Sequence, residues 1–191
     1  MKRFGPIAII LIGLLVLAGM RWTMPSYERI TGPIAFAGKP DAWVDTGNLV
    51  VRAGPPQLAR TIHFKSLGKV EERTSAGVWL VVPVRSRVDH TTAHVYGRIW
   101  VTPDGRRYRA SGRVEDGDVV LTSTKTLQPG LERKDLVMFE LPAELANGEG
   151  TLLLSEERDP QLTAQARITY PAAASASPAT LLDLDGLHAK L

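Results

Sequence analysis

No cysteine occurs among the 191 residues, which excludes disulfide frameworks, thiolate zinc or iron–sulfur sites, thiol nucleophiles and lipid-modified cysteine anchors. A Gly-X-Y period and a heptad run are missing too, so the chain is no fibre. At 44% hydrophobic residues it is too apolar to be disordered. The signatures Gly-x-Ser-x-Gly, a Gly-rich phosphate loop ending in Lys-Ser/Thr, and His-Glu-x-x-His are all absent. What remains, with 17 Gly and 13 Pro, suits one globular domain plus some extra sequence; two full domains would be cramped.

Charge is absent from one long stretch. After Met1-Lys2-Arg3, the 17 residues 4–20 carry none and are rich in Ile and Leu; Arg21 and Trp22 follow. A helix of that length spans roughly 25 Å, and continuing it to Met24 closes the gap to the ~30 Å hydrocarbon core, with Pro25 as the stop. A cleaved signal peptide is the competing reading. Cleavage wants small residues at −3 and −1, whereas cutting after Gly19 puts Leu17 at −3, which favours an uncleaved signal anchor over residues 1–24. The basic residues at its start keep that end in the cytoplasm, so everything after Arg21 is exported.

Long helical periodicity appears nowhere between this segment and the tail. After a Pro/Gly-punctuated lead-in over residues 25–45, short apolar pieces recur about every ten residues, and several alternate with period two. In residues 162–170 the even positions are Leu162, Ala164, Ala166, Ile168 and Tyr170, against polar odd positions. In residues 78–88, Val78, Leu80, Val82 and Val84 share a face. Residues 93–101 set Val95, Ile99 and Val101 inward against His94, Tyr96, Arg98 and Trp100 outward. Pro103-Asp104-Gly105-Arg106 is a hairpin turn. Further strands are expected at residues 48–53, 60–65, 119–124, 136–141 and 151–155. About eight short antiparallel strands predict an all-β immunoglobulin-like β-sandwich over residues 46–170.

The run Gly77-Val78-Trp79-Leu80-Val81-Val82, then Asp104-Gly105 with Tyr108, Leu127-Gln128-Pro129-Gly130 and Phe139-Glu140-Leu141-Pro142 resembles the bacterial telokin-like domains. The resemblance covers about residues 46–170 and implies an immunoglobulin fold on an exported, membrane-tethered protein of unknown function. Where members often end the central strand with Asn, this chain reads Arg85-Ser86-Arg87-Val88. The family brings no catalytic residues.

The remaining polar groups have adequate surface readings. His90 and His94 have helical spacing but lie in a strand-and-turn stretch. With His63 they form the best candidate set for a metal site, a small-ligand site or a weak hydrolase, but His63 and His94 fall on polar strand faces and all three read as surface histidines. Glu156, Glu157 and Asp159 form an acidic cluster without the Asp-x-Asp spacing of a cation loop. Charge is lopsided: residues 52–113 hold 12 Lys+Arg against 4 Asp+Glu, and residues 114–191 hold 6 against 13. The basic half is expected to supply any binding surface, through Arg85, Arg87, Tyr96, Arg98, Trp100, Arg106, Arg107 and Arg109. Arginine forks recognise carboxylates and phosphates, and aromatics add stacking area. Internal pairing with Glu115, Asp116 and Asp118 is the competing account. Residues 171–191 are an Ala/Ser/Pro linker and a short tail whose Leu184, Leu187 and Leu191 fit one helical stripe.

Together these features predict a single-pass protein of the bacterial inner membrane with its sandwich in the periplasm or outside the cell. It serves as an interaction or scaffold module of the envelope, with no catalysis, cofactor or metal expected. Its partner is an envelope protein or an anionic envelope component, including anionic lipid, rather than nucleic acid.

Overall fold

The computed structural model describes residues 4–23, 30–114, 118–122, 124–145, 148–172 and 177–191, with side chains of the first helix from Ile9 onward. The chain forms two units, residues 1–32 and 33–191. The first holds helix α1 (Phe4–Thr23), where an apolar, uncharged run with good helix formers meets no break before Arg21. From Ile9 to Leu17 its large apolar side chains are exposed on every face of the helix. Among the described residues no helix is long and apolar enough to cross a membrane. The fifteen side chains from Ile9 to Thr23, Arg21 among them, fall short of the ~20 apolar residues a span requires. Residues 1–3 and 24, the two ends of the expected anchor, lie outside the described residues.

The second unit is a β-sandwich. One sheet runs β1 (Ile34–Gly38), β12 (Ala164–Tyr170), β11 (Gly150–Ser155), β7 (Gly97–Val101) and β8 (Arg107–Arg109). The other runs β13 (Ala179–Asp183), β4 (Gln57–Ser66), β5 (Lys69–Val88), β3 (Leu49–Ala53) and β2 (Trp43–Asp45), with β10 (Arg133–Leu141) along the far side of β5. β6 (Ala93–His94) and β9 (Thr126–Leu127) form a small third sheet. Two pairings, β1 with β12 and β13 with β4, are parallel; the others are antiparallel. The lead-in segment therefore supplies an edge strand to each sheet. The tail also departs from expectation: Ala179–Asp183 is a strand, and only Leu184–His188 is helical (α2), capped by the Asp183 side chain. Of the expected strand at residues 119–124, the described residues retain one bridge, Val120 to Leu136.

β5 is the spine. Its even positions Val78, Leu80, Val82 and Val84 enter the core between the sheets with Leu152, Leu154, Ala166 and Ile168, as alternation predicts. Its odd positions Trp79 and Val81 enter a second buried cluster with Phe64, Leu136, Met138, Val114, Val120 and Leu184. Between Val78 and Val84 both faces of the strand are thus dry. The expected facing of β7 is reversed: Trp100 is fully buried in the inter-sheet core against Tyr170, with ring centroids 5.4 Å apart, and Arg98 is also buried. Val95 points inward, as expected, but Tyr96 and Gly97 break the alternation between β6 and β7. The single-residue change of phase turns Ile99 and Val101 outward. Gly150 accommodates the indole, since a Cβ there would lie 2.6 Å from it.

Candidate anion-binding cleft

A cavity of about 150 Å³ opens where β7, β8 and the loop after β11 meet, lined by Tyr96, Arg98, Ile99, Arg109, Ala110 and Arg158. The pairing that builds it is local. β11 lies antiparallel to β7 with Ser155 opposite Gly97, so the loop that follows passes the start of β7. Gly97 permits this close approach: a Cβ there would clash with the Ser155 hydroxyl and lie 2.5 Å from the Glu157 carbonyl. The Ser155 hydroxyl donates to that same carbonyl at 2.7 Å, which turns the loop and presents Arg158. On the other side, Ile99 pairs with Arg109 across β7 and β8.

Three arginines consequently contribute to the lining of one small space, Arg98 from a strand position that alternates with Ile99. Arg98 is buried and donates to the Leu121 carbonyl, which fixes its fork. Arg109 pairs with Asp159 at 2.9 Å, but both side chains are more than half exposed, so the pair contributes only about 0–1 kcal/mol. Arg158 has no ion-pair partner among the described residues. Tyr96 is exposed beside them and stacks on His94 at 5.4 Å between centroids. Such a set can hold a carboxylate or phosphate through charge-assisted forks. No group in it is arranged as a nucleophile with a base.

The other expected site residues are dispersed. Trp100 is core. Arg85 reaches Glu132 at 3.5 Å and also donates to the Leu191 carbonyl. Arg87 pairs with Asp89 at 3.0 Å and covers the Trp43 ring at 5.2 Å. Arg106 pairs with Asp104 at 3.0 Å inside its own turn, and Arg107 is exposed on β8. Glu115 and Asp116, the expected internal partners, lie outside the described residues; Asp118 offers its carbonyl to Lys125. The Thr102 hydroxyl, hydrogen-bonded to Asp104, holds that carboxyl below its usual range. Of the eight residues, only Tyr96, Arg98 and Arg109 share the cleft. Arg158 belongs to it as well, and its sequence position between Glu157 and Asp159 conceals this.

Among the described residues no three His, Asp or Glu side chains gather to hold a metal. His63 is engaged with Glu72 at 2.7 Å on β4, the backbone N–H of His90 is tied to Asn48, and His94 lies in β6.

No family model matches the sequence, and no curated protein matches it. Solved structures do. An uncharacterised β-sandwich protein from Clostridium difficile aligns with a TM-score of 0.51 at 11% identity, over 78% of this chain and all of that one. The yjhA protein from Bacillus subtilis aligns with a TM-score of 0.51 at 10% identity, over 68% of this chain and 98% of its own. The chain therefore has a β-sandwich fold of a kind already seen in bacteria. At such identities the likeness extends to fold alone.

Proposed function

We propose that this chain is a membrane-anchored, exported immunoglobulin-like sandwich of the telokin-like kind, an interaction module of the bacterial envelope that binds anionic groups at the Arg98, Arg109 and Arg158 cleft. The carrying observation is α1: a helix apolar around its whole circumference, with those side chains exposed, has no reason to exist in water. The uncharged run in the sequence begins at Phe4, ahead of the first described side chain. The backbone is helical from Phe4 to Thr23, and the 17 uncharged residues 4–20 account for roughly 25 Å of it. Lys2, Arg3 and Arg21 bracket it, and the arginines of the cleft supply the recognition chemistry.

Two measurements test this reading. Full-length protein produced in bacteria is expected to stay in the membrane pellet through an alkaline carbonate wash and to begin at Met1. Release by the wash, or a start near Met20 or Arg21, overturns the anchor. Separately, detergent-solubilised full chain is expected to bind inorganic phosphate more weakly as salt rises, and the Arg109→Ser, Arg158→Ser double variant is expected to lose that binding. Binding unaffected by salt and by the double variant overturns the cleft.

A further inference from the structure

The outer half of the β4–β5 pair is a hairpin arm. Thr61 faces Thr74 with hydroxyls 3.1 Å apart, His63 bonds Glu72, and the last rungs are Lys65 with Val70 and Ser66 with Lys69. Two residues close it, Leu67 at φ 48° and Gly68 at φ 79°. This two-residue reversal wants Asn, Asp or Gly at both positions, because a side chain with a Cβ is strained at positive φ. Leucine occupies the first, and it is 93% exposed; Val70 beside it is 70% exposed. A strained residue type with its apolar side chain wholly in water costs twice over and gains nothing inside the fold.

The side chains that flank the tip are basic, and the Asp185 carboxylate accepts from the Lys65 backbone N–H at 3.0 Å on the inner side. Lys65 and Lys69 flank it, and neither ammonium has a carboxylate partner among the described residues. The nearest acidic side chains on the arm are already engaged, Glu71 with Arg73 at 2.6 Å and Glu72 with His63. Another hairpin of the molecule, between β7 and β8, is built in the opposite manner. Its turn carries Pro103, Asp104 and Gly105, closed by hydrogen bonds from Thr102 and to the Thr102 carbonyl.

We infer that the Leu67 tip, with Val70 and the ammonium groups of Lys65 and Lys69, is a contact site for an anionic lipid surface. An apolar tip ringed by lysines matches the boundary between headgroups and acyl chains: the side chains of Leu67 and Val70 enter the acyl region while the lysines stay with the phosphates. This inference rests on the membrane-anchor reading, since an anchored chain keeps its sandwich tethered to a bilayer. The test exploits the absence of native cysteine. Full-length Leu15→Cys, Leu67→Cys and Asp104→Cys variants are each labelled with an environment-sensitive fluorophore and reconstituted in vesicles of phosphatidylethanolamine and phosphatidylglycerol containing brominated lipid.

The expected result is blue-shifted, quenched emission at positions 15 and 67 and water-like emission at 104. A position ~5–10 Å deep lies within reach of brominated acyl chains, so emission at 67 is expected to fall well below that at 104. Omitting phosphatidylglycerol, or adding Lys65→Glu with Lys69→Glu, is expected to return position 67 to water. Quenching at 15 but not 67 overturns the tip contact and leaves the anchor standing, and it would direct attention to a protein partner for the arm. Equal quenching at 67 and 104 overturns it as nonspecific adsorption. Absence of quenching at 15 overturns the anchor and the tip contact together.

Discussion

The two faces of β5 reach the same dryness by different means. Inward, Val78, Leu80, Val82 and Val84 meet the strands of the opposite sheet, so one regular layer covers another. Outward, Trp79 and Val81 are covered by pieces from far along the chain: Val114 from a 3-10 turn, Val119 and Val120 from the segment after it, and Leu184 from α2. Arginines finish that cover, Arg113 lying 5.6 Å over the Trp79 ring and Arg73 5.7 Å over Phe64. The Trp79 indole donates to the Arg73 carbonyl at 3.1 Å. A layer made from strands is held by a ladder of backbone hydrogen bonds, whereas the outer cover is held at separate points. The inner face should therefore fail globally when damaged and the outer one locally.

The strongest way to break this comparison is at the centre of the inner face. Val82→Asp buries an unpaired carboxylate in the inter-sheet core and is expected to abolish folding, read as loss of the cooperative thermal transition. On the outer face, Leu184→Ala is expected to cost about 2–4 kcal/mol, as a buried leucine truncation does. Hydrogen exchange should place that loss in β13 and α2, with the amides of β7, β11 and β12 keeping their protection. A uniform loss across both sheets would mean that the two layers are one cooperative unit.

That inner face was legible in the sequence, because period-two alternation has a single physical reading when one side of a strand is apolar. The phase of β7 was not. Tyr96-Gly97 interrupts the strand, and a pattern counted through an interruption assigns every later side chain to the wrong face, as happened with Trp100 and Ile99. The outer layer was hidden because its pieces are joined by tertiary contact alone: Phe64 and Leu184 stand 120 positions apart in the sequence. The cleft was half visible. Arg98 and Arg109 could be read as basic residues on neighbouring strands, but Arg158 joins them only through the pairing of β11 with β7. The tip gave only a weak turn signal, since Gly68 is of the type that the turn geometry favours and Leu67 is not.

A smaller effect is expected where the inner core meets its lining. Gly150→Ala would push a methyl group against the Trp100 indole at 2.6 Å, and the glycine's φ of 156° adds backbone strain, so about 1–3 kcal/mol should be lost in a denaturant titration. The neighbouring Tyr170 makes the same core sensitive to alkali. Burial, reinforced by the Asp41 charge, pushes its phenol far above the ordinary value of 10.0. Below pH 10 both folded and unfolded chains hold this proton. Above it only the folded chain does, so stability is expected to fall as pH rises through 10 and beyond. Tyr170→Phe should remove that alkaline slope while losing the hydrogen bond to the Gly54 carbonyl, worth about 0.5–1.5 kcal/mol near neutral pH.

The smallest expected effect has the opposite sign, and it sharpens the contrast between regions built for stability and regions that are not. Leu67 holds a left-handed backbone conformation that costs a leucine roughly 1 kcal/mol and costs asparagine less, because the short amide can bond to its own backbone. Its side chain, almost wholly exposed, has no packing to lose. Leu67→Asn is therefore expected to raise the stability of the sandwich by about 0.5–1 kcal/mol, read as a shift of the denaturation midpoint to higher denaturant with an unchanged slope. Asp104→Asn in the β7–β8 hairpin serves as the control: it lies in a turn already suited to its residue, and it should leave the midpoint unchanged or lower it slightly. A stabilised Leu67→Asn variant that also loses its lipid contact would account for a leucine where the fold alone favours asparagine. A variant no more stable than the parent would show that the turn bears no strain, and that its leucine is neutral to folding.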